Sequence, residues 1–519
     1  MPKGDHDRAK KEFSEWMKYI PDDYSITRLT LPGTHDSHAT KENTPELMQL
    51  LAVCQFHSVT RQLELGVRYL DLRVGDPSLS MVHGYITLSG HLSDVLGEIR
   101  EFLRAHSSET VLVSIKWDDP KSSHDQSLRD FVWNTWERND WYKQKTWPNL
   151  KTARGKAILL RRFDSEGKDE IGIDCMGFYG SKSAGDKAAA PWLQTDNPAE
   201  AGIPFESRWN RALLNMNHAR SQPSSDGILY ISNLADTGVQ KGENPPIAYA
   251  ANVNWRLRQY LSSDNSQVDP EKNHLGLIIL DFIRYGDTAR IISKNWKENV
   301  YATSENPSWK GNGPAVADFP STKEAVKIFI QTDGNLVVYA KNGADARWAS
   351  MTNMAQADNK RLSFQDDGNL VIYENGDGRW GLDRFARNSK LRVMHGPPFF
   401  MVDSDFLKGD LYWTPGGDIL TEPNLDYSAN ANFIKMYLAY ATNPAGAAQQ
   451  GVNQLYRAGF DYVSGTLRKD NNPVANGLAN AIDAVGNWYA YTGNVTVQVL
   501  EFVTTPGRKL VGWVSSLFS

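Results

Sequence analysis

Leu31-Pro-Gly-Thr-His-Asp-Ser-His38 decides how this chain is read, because two later segments, Arg68-Tyr-Leu-Asp-Leu-Arg73 and Met81-Val-His-Gly84, complete it. In each, a short apolar run ends in polar, reactive side chains, the pattern of barrel enzymes whose strands deliver residues to the rim where chemistry occurs. Together they supply two imidazoles (His35, His83), two carboxylates (Asp36, Asp71) and one guanidinium (Arg73). That set suits cleavage of a phosphate ester, in which a base takes a hydroxyl proton, an acid protonates the leaving oxygen, and a cation neutralises the phosphoryl oxygens. His35 and His83 are the natural base and acid, since an imidazole titrates near working pH. Arg73 suits bidentate contact with phosphate. A carboxylate beside each histidine would hold its ring: Asp36 follows His35, and Asp281 ends the apolar strand Leu275-Gly-Leu-Ile-Ile-Leu-Asp-Phe-Ile283. His and Asp are also metal ligands, so a metal cluster is a second reading of the same residues.

Outward from these motifs, residues 25–283 alternate strand-like and helix-like segments. The short Val/Ile/Leu-rich runs Ser25–Leu31, Tyr69–Val74, Ser80–His83, Thr110–Trp117, Ala157–Phe163, Gly227–Asn233 and Leu275–Ile283 read as buried parallel strands. Helices are expected over Ala9–Tyr19, Glu46–Gly66, Leu92–His106 (capped by Ser89 or Ser93) and Ser127–Asn139. The alternation predicts a distorted (β/α)8 barrel of the TIM type rather than an open doubly wound sheet, whose Gly-rich nucleotide fingerprint is absent.

Beyond residue 300 the texture changes. Asn306-Pro-Ser-Trp-Lys-Gly-Asn-Gly-Pro314 reads as a linker. Gln331-Thr-Asp-Gly-Asn-Leu-Val-Val-Tyr339 then recurs 34 residues later as Gln365-Asp-Asp-Gly-Asn-Leu-Val-Ile-Tyr373. Ile328 and Leu362 precede the two copies, and Trp348 and Trp380 close them. An eroded third copy is expected at Leu391–Val402, closing at Trp413, with Met394, Gly396, Pro398 and Val402 at the motif positions. If each copy is a strand, alternate residues share a face. Gln331, Asp333, Asn335, Val337 and Tyr339 then line one side, as do Gln365, Asp367, Asn369, Val371 and Tyr373, and offer amide, carboxylate and phenol groups to sugar hydroxyls. Residues 416–519 are Ala/Asn/Gly-rich, with helix-leaning stretches at 429–441, 447–459 and 475–490 and a strand-like 495–504; no chemistry can be placed there. The ending Gly512-Trp-Val-Ser-Ser-Leu-Phe518 reads as docked on its own domain, with a short interfacial anchor as the alternative.

Leu31–Ser37, Tyr69–Arg73, Met81–Gly84 and Ile278–Ile283 together resemble the bacterial-type phosphatidylinositol-specific phospholipase C catalytic domain, over roughly residues 20–300. The resemblance implies attack of the inositol 2-hydroxyl on phosphorus, giving inositol 1,2-cyclic phosphate and diacylglycerol. It implies His35 as general base oriented by Asp281, His83 as general acid working with Asp36, and Arg73 and Asp71 at the phosphate. Lys116 and Arg162 match positions lining the inositol pocket. Calcium-dependent members of the superfamily place acidic ligands where this chain has Arg73 and Lys116, and two fixed cations would repel a dication; no metal and no other cofactor is expected. The segment Trp192-Leu-Gln-Thr-Asp-Asn197 lacks the tyrosine that helps the family bind inositol, which leaves the head group open among phosphatidylinositol, a glycosylated lipid anchor and another phospholipid. The repeat resembles the bulb-type, monocot mannose-binding lectins, which implies a β-prism of three four-stranded units over about residues 300–415, without calcium at the sugar sites.

The expected division is therefore 1–300 (catalytic barrel), 301–415 (lectin-like β-prism) and 416–519 (an α+β domain of unknown type), within the two to four domains that 519 residues suggest. A net charge of −5 gives no overall drive toward nucleic acid. Two cysteines, Cys54 and Cys175, are too few for a disulfide framework and read as buried thiols. The charged start lacks the apolar core of a signal peptide, no run is long enough to span a bilayer, and mean hydropathy is −0.50. Synthesis in the cytoplasm is expected, with export by a non-standard route and peripheral action on membranes left open. The expected partners are an inositol phospholipid at a membrane surface and mannose-type glycans. The competing readings are a carbohydrate-binding protein with an inactive barrel and a metal-dependent phosphodiesterase on other phospholipids.

Overall fold

The computed structural model describes residues 6–413 except 46–47, 76–77, 85, 119–124, 137–139, 143, 164–170, 176–192, 196–202, 222–226, 237–245, 264–273, 355–358, 383–387 and 405–410. Strands β1 (Leu31–Thr34), β2 (Tyr69–Gly75), β3 (Ser80–His83), β4 (Ile86–His91), β5 (Val111–Trp117), β6 (Trp141–Tyr142), β7 (Ala157–Arg162), β8 (Ile173–Asp174), β9 (Leu193–Thr195), β10 (Leu229–Asn233) and β11 (Leu277–Leu280) form one sheet. Its main path runs β6-β7-β5-β2-β1-β11-β10-β9 and is parallel throughout, curling into a half-barrel of the TIM type. The helices are α1 (His6–Ser14) before the first strand, then α2 (Gln49–Ala52), α3 (Val59–Glu64), α4 (Leu92–Ala105), α5 (Asp125–Trp136), α6 (Leu150–Ala153), α7 (Phe205–Ser221) and α8 (Pro246–Ser263) between strands, and α9 (Tyr285–Ser293) after β11. The central strands are buried on both faces, which is why they read as nearly continuous apolar runs. Gly33 is required in β1, because a Cβ there would stand 2.9 Å from both Tyr69 and Leu277.

Several expected boundaries shift for local reasons. Ser25–Leu31 is not a strand. Ser25 caps a 3-10 turn over Ile26–Arg28 and pairs only with Asn149, and β1 begins at Leu31, whose N–H donates to Gly276. The lead-in Ala9–Tyr19 breaks after α1 into a separate 3-10 turn, Trp16–Tyr19. Glu46–Gly66 is not one helix, because residues 53–58 leave helical conformation to pair with Ala39 and Phe282 before Ser58 caps α3. Neither Ser89 nor Ser93 caps α4; His91 does, its N–H bound by Asp94 at 3.1 Å. The last residues of the Ser127–Asn139 prediction lie outside the described residues.

Twelve further strands make three four-stranded antiparallel sheets: β12 (Glu298–Ala302) with β21 (Ser389–Met394), β22 (Phe400–Ser404) and β23 (Leu411–Trp413); β13 (Ser308–Lys310) with β18 (Lys360–Phe364), β19 (Leu370–Glu374) and β20 (Asp377–Gly381); and β14 (Ala317–Phe319) with β15 (Val326–Ile330), β16 (Leu336–Ala340) and β17 (Asp345–Ala349). The expected linker 306–314 contains β13, whose Trp309 pairs with Leu362; three residues are too few to show a pattern in sequence. The cross-strand rows Ile328–Val338–Trp348 and Leu362–Ile372–Trp380 are buried, so the repeating apolar positions build the core.

The sheet of β12, β21, β22 and β23 packs on the barrel. Trp296 is fully buried, its indole N–H donates to the Pro397 carbonyl at 2.8 Å, and its ring meets Trp16 and Tyr19 edge-on. Phe399 meets Tyr19 with ring centroids 5.5 Å apart. Behind them Asp403 accepts from Arg290 at 3.0 Å and Ser262 at 3.1 Å, and Glu298 accepts from Arg392 at 2.8 Å. Truncating a buried tryptophan of this kind costs about 3–5 kcal/mol. Contacts divide the chain into two compact units, the first comprising Met1–Glu200, Pro204–Ala235 and Asn252–Asn424. In the second unit (Ala201–Ile203, Asp236–Ala251 and Leu425–Ser519), the described residues are Ile203, Asp236 and 246–251, the last of these opening α8. The expected segments within 416–519 lie outside the described residues.

Candidate active site

The site is laid out by strand register. Along β2, Asp71 and Arg73 share a face. Arg73 stands opposite Lys116 on β5, and Lys116 opposite Arg162 on β7, which places three cations in one row on adjacent strands. Thr34 at the end of β1 stands opposite Leu280 at the end of β11, so His35 and Asp281 leave the sheet side by side. His83 ends β3, which hairpins off β2.

Arg73 is the hub. Its guanidinium contacts Asp36 at 2.8 Å, Asp71 at 3.0 and 3.1 Å, Asp118 at 3.2 Å and His35 Nε2 at 2.6 Å. Arg162 holds the other oxygen of Asp71 at 2.8 Å, and Lys116 pairs with Asp118. Burial pushes the Asp71 carboxyl up, but Arg73 and Arg162 outweigh it and hold it well below the usual carboxylate range. Asp118 shows the same contest, with Arg73 and Lys116 bringing it to about 2 against burial. Asp36 goes the other way: burial raises it despite Arg73. Ser37 fixes the row beneath, its hydroxyl accepting from the Asp71 N–H at 2.8 Å and meeting Thr34 at 2.7 Å.

The two histidines have different partners. His35 Nδ1 lies 2.9 Å from Asp281, an acceptor, and its Nε2 faces Arg73, a donor. That pairing fits the neutral ring with its proton on Nδ1 and the lone pair of Nε2 directed into the site. Burial first, and the Arg73 charge second, hold its pKa well below the ordinary imidazole value. His83 Nδ1 meets the Ala52 carbonyl at 2.9 Å, and its Nε2 lies 3.5 Å from Asp36. Both of its nitrogens thus face oxygen atoms, the nearer being the Ala52 carbonyl. The rings stand 6.5 Å apart at 88°, and their side chains remain 16% and 18% exposed, beside Lys116 at 28%. The arrangement can take a proton on one side of a bound group and deliver one on the other.

Of the expected residues, His35, Asp36, Asp71, Arg73, His83, Lys116, Arg162 and Asp281 converge here. Asp118 was missed, although it lies two residues past Lys116 at a strand end, just as Arg73 follows Asp71. His35, Asp36 and Cys54 place ligand atoms within 4.8 Å of one another. They do not make a good dication site: burial and neighbouring Asp281 push the Cys54 thiol well up, and the Arg73 guanidinium already sits against both His35 and Asp36.

The repeat residues are arranged differently from a single exposed row. Residues 331–335 form a turn, with Gly334 at φ +78°, that brings Gln331 Nε2 to Tyr339 Oη at 3.1 Å; Gln365 and Tyr373 meet likewise at 2.8 Å. Asp333 and Asp367 each accept from the N–H two residues on, at 2.9 Å, and so close their turns. Asn335, Val337, Asn369 and Val371 are buried. At the eroded third copy Met394 and Val402 are buried, and a Cβ on Gly396 would fall 2.5 Å from Trp296. Of Trp192–Asn197, only the backbone of Leu193–Thr195 belongs to the described residues.

Fold and site together define a TIM-type parallel sheet carrying a two-histidine, guanidinium-centred acid–base cluster. Residues 29–163 match the family described as phosphatidylinositol-specific phospholipase C, X domain. The chain is 29% identical to the 1-phosphatidylinositol phosphodiesterase of Listeria monocytogenes, over 54% of this chain and 84% of that protein. It is 23% identical to the Staphylococcus aureus protein of the same name, over 54% and 91%. Phosphatidylinositol-specific phospholipase C homologues of bacteria thus cover about 54% of the chain. The solved Listeria monocytogenes phosphatidylinositol-specific phospholipase C aligns with TM-score 0.45 at 26% identity, over 55% of this chain and 99% of that one. A monomeric monocot mannose-binding lectin from Gastrodia elata aligns with TM-score 0.19 at 24% identity, over 23% and 99%.

Proposed function

We propose that the chain is a phosphatidylinositol-specific phospholipase C that acts at a membrane surface without a metal. The observation that carries this reading is the unequal partnering of the two histidines around one guanidinium. His35, neutral and oriented by Asp281, takes the proton of the inositol 2-hydroxyl. The freed oxygen attacks phosphorus while Arg73 neutralises the phosphoryl oxygens, and Lys116 and Arg162 border the inositol. The bond from phosphorus to the glycerol oxygen breaks, and that oxygen leaves with a proton from His83, seated against Asp36. The products are inositol 1,2-cyclic phosphate and diacylglycerol. Base and acid each contribute about 10²–10⁴ in rate. Among the described residues no helix is long and apolar enough to cross a membrane, which is compatible with peripheral action.

Residues 301–415 we read as a bulb-type lectin-like β-prism that tethers the enzyme to mannose-type glycans, and 416–519 as a separate C-terminal domain. The repeated Gln–Tyr contact supports two sugar sites, at 331–339 and 365–373. Weak binding suffices there, because tethering raises effective concentration at a surface.

Incubation of the full chain with phosphatidylinositol vesicles, followed by phosphorus NMR, tests the chemistry. A cyclic phosphate signal that persists with chelator and vanishes in His35→Ala is expected; a requirement for calcium, or a product made by His35→Ala, overturns it. Mannose-glycan binding by the full chain, lost in the double variant Tyr339→Ala/Tyr373→Ala, is the corresponding test of the tether; no binding by the parent chain overturns it.

A further inference from the structure

Cys54 and Gln55 belong to none of the motifs above, yet both are completely buried against the reacting pair. We propose that Gln55 is the positioning residue of the His35–Asp281 pair, with Cys54 as its second arm. The inference rests on the reading of His35 as general base.

β1 and β11 make their last rung where the His35 N–H donates to the Leu280 carbonyl at 3.2 Å. Beyond it the sheet ends, and the residues following the reacting side chains are both in the left-handed region: Asp36 at φ +41° and Phe282 at φ +51°. Side chains other than glycine occupy that region only where their surroundings hold them. Gln55 holds both strand ends at once. Its Nε2 donates to the His35 carbonyl at 2.8 Å and to the Leu280 carbonyl at 3.0 Å, and its Oε1 accepts from the Ile283 N–H at 3.3 Å. A single amide therefore supplies the rung that the two strands can no longer make. Cys54 completes the clasp: its carbonyl accepts from the Phe282 N–H at 2.6 Å, and its buried thiol neighbours the Asp281 carboxylate, which adds to burial in pushing the thiol up. The dipeptide is anchored on the far side, where the Cys54 and Gln55 N–H groups both donate to the Ala39 carbonyl, at 2.8 and 3.1 Å. Asn254 steadies the Asp281 carbonyl at 2.9 Å from another direction but does not touch β1. Among the described residues, Gln55 is the side chain that spans the pair.

The test compares Gln55→Met, Cys54→Ala and Cys54→Ser in the full chain. Turnover of phosphatidylinositol vesicles is measured beside the low-field proton resonance of His35 Nδ1–H, assigned by its loss in His35→Ala. A misplacement near 1 Å costs about 10²-fold, so Gln55→Met is expected to lower kcat by about that factor while KM stays within about threefold. Its low-field proton is expected to weaken or vanish. Cys54→Ala is expected to lower kcat about tenfold, with Cys54→Ser, which keeps a donor, recovering most of the loss. A Gln55→Met protein that melts earlier but keeps its kcat and its low-field proton overturns the proposal. If Gln55→Met does not fold, the Cys54 pair decides: kcat equal to that of the parent chain in Cys54→Ala overturns it. If the parent chain turns over no phosphatidylinositol, the proposed function falls, and the resonance alone decides the clasp.

Discussion

Replacing Arg73 by methionine removes the hub of the site and leaves its surroundings largely filled. Four carboxylates (Asp36, Asp71, Asp118, Asp281) then face two permanent cations, Lys116 and Arg162, instead of three. The rings of His35 and His83 are 6.5 Å apart and Arg73 is 2.6 Å from one of them. A phosphorus between the rings therefore lies about 5 Å from the guanidinium, where two unit charges at an effective dielectric of about 20 attract by about 3.3 kcal/mol, or about 250-fold. The expected loss in kcat/KM is about 10²–10³. Arg73→Lys keeps the charge but not the fork that meets Asp36, Asp71 and His35 together, and should recover only part of it. The assay is release of water-soluble inositol phosphate from vesicles, with circular dichroism to establish that the variant is folded. A folded Arg73→Met enzyme within about threefold of the parent kcat/KM would refute the assignment of the phosphate charge to this residue.

Asp281→Asn should lower kcat by about 10²–10⁴ with little change in KM, because an amide can present its N–H to His35 Nδ1 and favour the wrong tautomer; the measurement is the same vesicle assay. His35 has its pKa lowered, first by burial and then by Arg73, with His83 and Arg162 adding to the effect and Asp71 opposing it. The base thus stays unprotonated as pH falls through the ordinary imidazole value, and the acid limb of kcat/KM should lie below it. In Arg73→Met the limb should move up, as a pH–rate profile will report. His395, buried with its pKa lowered from 6.5 to about 4 by burial, accepts the Lys297 N–H through Nδ1 at 2.9 Å. Its unfolded form takes a proton that the native form refuses, so its contribution is complete above the unfolded value and is lost as pH falls through the native one. Urea titration at neutral and acid pH should show a loss on the order of 3 kcal/mol that His395→Gln diminishes.

The convergence of the candidate cluster was legible in sequence because most of it comes from strand ends. His35, Asp36, Asp71, Arg73 and His83 lie in short segments where apolar runs turn polar, and Asp281 is the lone acid closing a run. Lys116 and Arg162 needed the family resemblance, since a charged residue inside an apolar strand carries no sign of the register that aligns it with Arg73. Asp118, Cys54 and Gln55 were hidden: the first follows a tryptophan beyond the strand, and the others were absorbed into one long predicted helix. Pro32 and Gly33 look like turn residues, which displaced the first strand toward the amino terminus. Helices α7 and α8 escaped notice because polar groups such as Arg208, Asn215 and Asn254 lie on their buried faces and blur the apolar stripe. In the repeat, alternation holds only from Leu336 and Leu370 onward, because the turn at Gly334 and Gly368 resets the pleat.

The indole of Trp296 and the Arg290–Asp403 pair tie the barrel to the sheets that follow it. Trp296, just past the final helix of the barrel, and Arg290 within that helix are each covered in part by residues some hundred positions downstream. Ending the chain near residue 300 would bare one side of that ring and take Asp403 away from Arg290, with only Ser262 and the Gly286 carbonyl left to accept from it. The two stretches thus depend on each other, and heat or denaturant should melt them as one.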